Sequence, residues 1–213
     1  MLGLVVTALL VADEAGSSAS LAALDRQVAS KPSDPFARIE AAQKRLQQGE
    51  ELDRALLDLD VARSILPENP RVHFLYGQLM EERGDGPAAR AAYETALALR
   101  DDYDDARFRL AGLLFQAQAF AEAAAAYGRY AKAHPDATGA RLQHAAALEK
   151  SGDVAGAEKE LKALYADART RGVAGFKLAE LYERHGRHKE AVKVRAAVEP
   201  PKRKLRDLKP SGR

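Results

Sequence analysis

The chain has 213 residues, 46% of them hydrophobic, and a formal net charge of +2 from 33 basic and 31 acidic side chains; that balance excludes a disordered chain. It has no cysteine, which excludes disulfides, thiolate metal sites, cysteine nucleophiles and cysteine-linked lipids. The charge is uneven, because Pro200–Arg213 holds six basic residues and one acid, leaving a mildly acidic body and a basic tail.

Residues 1–19 form an apolar N-terminus. Met1–Ala12 (MLGLVVTALLVA) has no charged side chain and is too short to span a bilayer, which takes about 20 apolar residues. Its length suits a signal-peptide core, and the small residues Ala15–Ala19 suit a cleavage region. Against this, no Lys or Arg precedes the run, and Asp13 and Glu14 fall where cleavage regions are uncharged. The other readings are an apolar end that docks on the first helix, or a start codon placed too late. The signal-peptide pattern favours a periplasmic or envelope-associated protein, with a cytoplasmic one as the alternative.

Residues 20–35 read as a capping helix and linker. Leu21, Leu24 and Val28 recur at i, i+3 and i+7, the spacing of one helical face. Pro32 and Pro35 stop that helix, and Ser33 or Asp34 caps the next. A helix here would cover the apolar face of the first repeat that follows.

From 36 to 199 the chain repeats. Ala55, Ala89, Ala123, Ala157 and Ala191 are each 34 residues apart, with no insertion. The same offset links Phe74, Phe108, Leu142 and Phe176; Gly77, Ala111, Ala145 and Ala179; and Leu46, Met80, Leu114, Leu148 and Tyr182. Registers held in phase over this length mark a stacked-repeat fold. The five units are Phe36–Asn69, Pro70–Tyr103, Asp104–Ala137, Thr138–Arg171 and Gly172 onward, each holding two helical patterns around a short break. Glycine recurs at the breaks (Gly49, Gly84, Gly152, Gly186), where a helix ends on a left-handed residue. No segment alternates with period two for long enough to argue a strand, so the fold class is all-α.

The spacing carries no catalytic motif. His185 and His188 straddle Gly186 with no third ligand nearby, so they read as solvated histidines rather than a zinc site. No phosphate loop or nucleophile elbow occurs. The chain reads as non-enzymatic, with no cofactor, no metal and no small-molecule substrate.

These residues resemble the tetratricopeptide repeat family and its W-x2-L-G-x2-Y…A-x3-F…P pattern over 34 residues. The second unit carries Tyr76-Gly77, Met80, Gly84, Ala89, Tyr93 and Ala96, and the third Leu110-Ala111, Leu114, Ala123, Tyr127 and Pro135. The family's tryptophan position holds Ile39, His73, Arg107, Arg141 and Gly175, and the last unit offers Arg195 where an apolar residue is expected. That polar residue suits a terminal repeat whose second helix has no following neighbour.

The resemblance implies a right-handed superhelical solenoid of about five helix-turn-helix repeats with an N-terminal capping helix. It also implies a concave groove lined by Arg71, Phe74, Gln78, Phe108, Arg109, Phe115, Leu142, Phe176 and Lys177, which would hold a protein or peptide partner. Gln78, Gly112 and Ala146 do not match the lysine and asparagine set that grips a chaperone carboxylate. The function expected is a protein–protein interaction scaffold, in an exported chain one serving a bacterial envelope secretion, pilus or motility machine. The alternative is an electrostatic tether in which the basic tail (Lys202, Arg203, Lys204, Arg206, Lys209) binds an acidic partner or an anionic membrane surface. The tail lacks aromatics for base stacking, which argues against nucleic acid.

Overall fold

A computed structural model describes residues 20–198 of the chain. Among the described residues every regular element is helical. In chain order they are α1 (Leu21–Ser30), α2 (Pro35–Gln48), α3 (Leu52–Ile65), α4 (Pro70–Glu82), α5 (Gly86–Leu99), α6 (Asp104–Gln116), α7 (Phe120–Ala133), α8 (Thr138–Lys150), α9 (Val154–Ala166), α10 (Arg171–Arg184) and α11 (His188–Val198). The helix pairs begin at 35, 70, 104, 138 and 171, within one residue of the 34-residue register. They fall into two compact units divided between Ala106 and Arg107.

The helix boundaries follow from local chemistry. Ser20 caps α1 by accepting the Ala23 N–H, and Asp34 caps α2 by accepting from Phe36 and Ala37, with Pro35 at the first helical position. Asn69 and Pro70 repeat that device at α4, since proline lacks only an N–H that would be unpaired there. Gly84, Gly152 and Gly186 end the first helix of their pairs with φ of 75°, 95° and 73°. The same register position in the third pair is Gln118, which holds φ 62° without glycine's freedom.

The alanine ladder lies at the helix crossings. Ala55, Ala89, Ala123 and Ala157 are fully buried and Ala191 nearly so, as small residues must be where helix axes approach to about 8–10 Å. Gly77 shows the tightest form of the contact. A Cβ there would lie 2.5 Å from the Tyr93 ring, so the ring occupies the space of the missing side chain. Gly175 repeats this against Val198 and Tyr165, which accounts for glycine at the register position of the absent tryptophan.

In the first unit, α1 packs on α2 through Leu24, its one buried residue. Beside it lies an ion cluster that periodicity did not reveal. Arg45 is 1% exposed and donates to Asp58 at 2.8 Å, to Glu51 at 3.0 Å and to Asp25 of α1. Arg38 donates to Asp58 at 2.6 Å. Burial pushes the Asp58 carboxyl above its ordinary range, against the pull of Arg45 and Arg38.

In the second unit, α8 to α11 share one core: Ala145 of α8, Ala157 and Leu161 of α9, Leu178 and Tyr182 of α10, and Ala191 of α11. Tyr182 donates its hydroxyl to Glu158 at 3.0 Å, and Arg187 donates to the same carboxylate. Led by Arg187 and then Lys162, these donors hold the Glu158 pKa at about 2. The apolar run Met1–Ala12 and the cations Lys202, Arg203, Lys204, Arg206 and Lys209 lie outside the described residues.

Candidate functional site

The expected groove residues sit on the first helix of each pair, and the two units treat them differently. In the first unit Arg71, Phe74 and Gln78 lie on α4 and all three are half-buried. Arg71 donates to the Gln43 side chain on α2, tying two first helices together. The Phe74 ring stacks 5.8 Å from Tyr93 and 5.0 Å from Tyr103. Its faces are thus largely taken up within its own repeat.

In the second unit Phe108 does the same, 5.6 Å from Tyr127 and 5.0 Å from Tyr130, and Phe115 packs edge-on against Phe120 at 5.2 Å. Leu142 is a partly buried member of the α8–α11 core. Arg109 is exposed. Phe176 departs from the series: it is 41% exposed, and Val173 one turn earlier on α10 is 45% exposed.

The cause lies one helix later. Tyr93 and Tyr127 receive Phe74 and Phe108, and the residues 34 and 68 positions beyond Tyr127 are Leu161 and Arg195. Leu161 joins the core beside Leu142, but Arg195 donates its guanidinium to Glu183 at 3.0 and 2.8 Å. No ring or branched chain from that position shields Phe176, so its ring faces solvent. Val173 escaped the sequence reading, although it occupies the second position of its unit, which the resemblance places on the concave side.

Polar residues frame this patch. Lys177 donates to Glu180 at 3.0 Å. Arg184 of α10 grips Glu149 of α8 through two bonds of 2.8 and 2.7 Å, and His185 approaches the same carboxylate at 3.2 Å. Burial works to raise the Glu149 pKa, yet the Arg184 hydrogen bonds and charge outweigh it and hold the carboxyl below its ordinary value. A two-pronged arginine–carboxylate pair fixes geometry as well as charge, so the C-terminal ends of α8 and α10 are clamped together, about 12 Å along α10 from Phe176.

A cavity of about 220 Å³ opens among the inter-repeat turns of the same unit, lined by Asp136, Arg141, Asp167 and Arg169 with Thr138 and Thr170. Its charges are mutually engaged: Arg169 with Asp167 at 3.0 Å, and Arg141 with Glu160 at 2.5 Å. Among the described residues no three histidine or carboxylate side chains gather as a metal site.

Residues 81–148 match the family model for the tetratricopeptide repeat. No curated protein matches the chain in sequence. Among solved structures the chain is similar to YrrB, described as a tetratricopeptide repeat protein with an unusual peptide-binding site, at 18% identity and a TM-score of 0.74, covering 84% of this chain and 92% of that one. It is similar to MamA of Desulfovibrio magneticus, at 17% identity and TM-score 0.68, over 77% of this chain and 92% of that one. A tetratricopeptide repeat protein of Parabacteroides merdae aligns at 20% identity and TM-score 0.65, over 84% and 73%. At these identities the structures attest the fold alone, a stack of helix pairs of the tetratricopeptide repeat type, and the family model itself matches two 34-residue lengths of this chain, residues 81–148.

Proposed function

We propose that the protein is a non-enzymatic interaction scaffold that holds a peptide segment of a larger assembly on the first-helix face of its second unit. The observation that carries this is the exposed pair Val173 and Phe176 on α10. Two large apolar side chains one helical turn apart form an anchor site for the side chains of a helix or extended peptide. Lys177 and its partner Glu180 supply polar groups at its edge, as interface rims do. The peptide-binding site described for YrrB agrees with this reading. The apolar run Met1–Ala12 supports extending it to an envelope assembly, a point that N-terminal sequencing of the mature protein tests.

The test is selection of peptides from a displayed library on the wild-type protein, followed by binding to a Phe176→Asp variant. Phe176 lies at the surface, so the variant should retain its wild-type circular dichroism melt while losing the selected peptides. Unchanged peptide affinity in a folded Phe176→Asp protein would sink the proposal. Failure of the wild type to enrich any peptide would do the same.

A further inference from the structure

Val192 on α11 is 67% exposed, the most of any large hydrophobic residue among those described. The repeat shows what such a position meets elsewhere. The residues 34 and 68 positions earlier are Glu158 on α9 and Ala124 on α7. The Glu158 side chain is 16% exposed and accepts from Tyr182 of α10 at 3.0 Å. Ala124 is 5% exposed. One turn further on, Ala196 shares the register of Gly128 on α7, where a Cβ would lie 2.9 Å from the His144 ring of α8. In both preceding pairs, then, the first helix of the next pair reaches this face. Among the described residues no helix follows α11. The sequence does not repeat the first-helix pattern in register either, since Pro210, Gly212 and Arg213 stand where α10 has Phe176, Leu178 and Ala179.

The face is also charged. Lys189, Val192, Lys193 and Ala196 are spaced i, i+3, i+4 and i+7, and all four are exposed. Neither lysine has an ion-pair partner among the described residues. Glu190, the one carboxylate on α11, falls outside this series and is bound by Arg187, while Arg195 is bound by Glu183.

We infer that the Val192–Ala196 face of α11 takes an acidic amphipathic helix of a partner protein, seated as α8 sits on α7 and α10 on α9. This does not rest on the peptide site at Phe176. Small side chains at 192 and 196 let a helix axis approach closely, and a bulky apolar residue of the partner fills the space over Ala196 as His144 does beside Gly128. Aspartate or glutamate on the partner's flank meets Lys189 and Lys193. A symmetric pairing of two α11 faces would instead set these lysines against their copies. A lipid surface would meet one large apolar side chain, because Val194 and Val198 are half-buried, whereas helices that lie in a membrane interface present a broad apolar face.

The experiment is selection of displayed helical peptides on the full-length protein, each selected peptide then being measured against three variants. One set should keep its affinity for Phe176→Asp and lose more than ten-fold with Val192→Glu. Its members should carry net negative charge, and Lys189→Ala/Lys193→Ala should weaken them roughly ten-fold through the loss of two exposed ion pairs. The replaced side chains at 189, 192 and 193 are exposed, so these variants should keep the wild-type thermal melt. The inference is overturned if no peptide depends on Val192, if the dependent set lacks acidic excess, or if the double lysine variant binds it as tightly as the wild type. Losses confined to Phe176→Asp would overturn it and leave the peptide site standing. Wild-type self-association in sedimentation velocity that Val192→Glu abolishes would overturn it in favour of a second copy. Binding to phosphatidylglycerol vesicles abolished by the same substitution would overturn it in favour of lipid.

Discussion

Arg45→Met is the most exacting test of how the first unit is held together. The wild-type guanidinium is 1% exposed and meets three carboxylates: Asp58 of α3, Asp25 of α1 and Glu51 in the turn between α2 and α3. Arg38 and Arg54 complete the cluster, bonded to Asp58 and Glu51 respectively, so three arginines face three carboxylates. Methionine keeps the length of the stem and removes the charge. Asp25 and Glu51 have side chains 30% and 42% exposed and can turn to water. Asp58 cannot, being 7% exposed, and it keeps only Arg38. Removing one partner of a buried ion pair costs roughly 3–5 kcal/mol. The surviving Arg38 bond places this substitution near the lower end, about 3 kcal/mol.

Urea unfolding followed by circular dichroism gives the total, but stacked helix pairs need not unfold as one unit. Hydrogen exchange resolved by helix is therefore the sharper assay. Protection should fall first in α1, whose hold on α2 rests on Leu24 and the Asp25–Arg45 pair. Asp58→Asn in the Arg45→Met background should recover about half of the loss, because it removes the stranded charge while leaving Arg38 an acceptor. The reasoning fails if Arg45→Met costs less than about 1 kcal/mol, the range of an exposed pair. It fails equally if the two substitutions are simply additive.

Two further predictions concern single positions in the second unit. Gln118→Gly should stabilise by about 0.5–1 kcal/mol, since the native φ of 62° is strained for a residue with a Cβ; a thermal melt that moves down instead would refute this. His144 has a buried Nδ1 with no hydrogen-bond partner, and burial lowers its pKa below the ordinary 6.5. The unfolded chain then takes up this proton before the folded chain does. The stability contributed above pH 6.5 is accordingly lost as pH falls from that value through the lowered folded-state one. His144→Leu should flatten that stretch of the stability curve, and an unchanged slope would show that other groups set it.

How far the sequence reveals this molecule depends on which interactions repeat. Ala55, Ala89, Ala123, Ala157 and Ala191 recur because every helix crossing imposes the same steric limit, so the ladder and the helix pairs could be read from spacing alone. Arg45 could not. Its partners Asp25 and Asp58 lie 20 and 13 residues away, outside the 34-residue period, and nothing in a helical face pattern distinguishes a buried arginine from a surface one.

The Phe74, Phe108, Leu142 and Phe176 series shows why a shared register does not mean a shared role. The four positions are equivalent in backbone terms, yet what each side chain touches is decided by a residue 19 positions later. Tyr93 and Tyr127 receive the first two rings, and Leu161 shares a core with Leu142. Arg195 leaves the fourth ring in solvent, because a guanidinium gains more from the Glu183 carboxylate than from lying over an exposed phenyl ring, an interaction of only about 0.5–1 kcal/mol. One substitution of charge for bulk in the second helix thus converts a packing position into a candidate binding position on the first. In a protein built of units that share one backbone register, binding sites are best sought where the partner register breaks, and here that break falls in the α10–α11 pair.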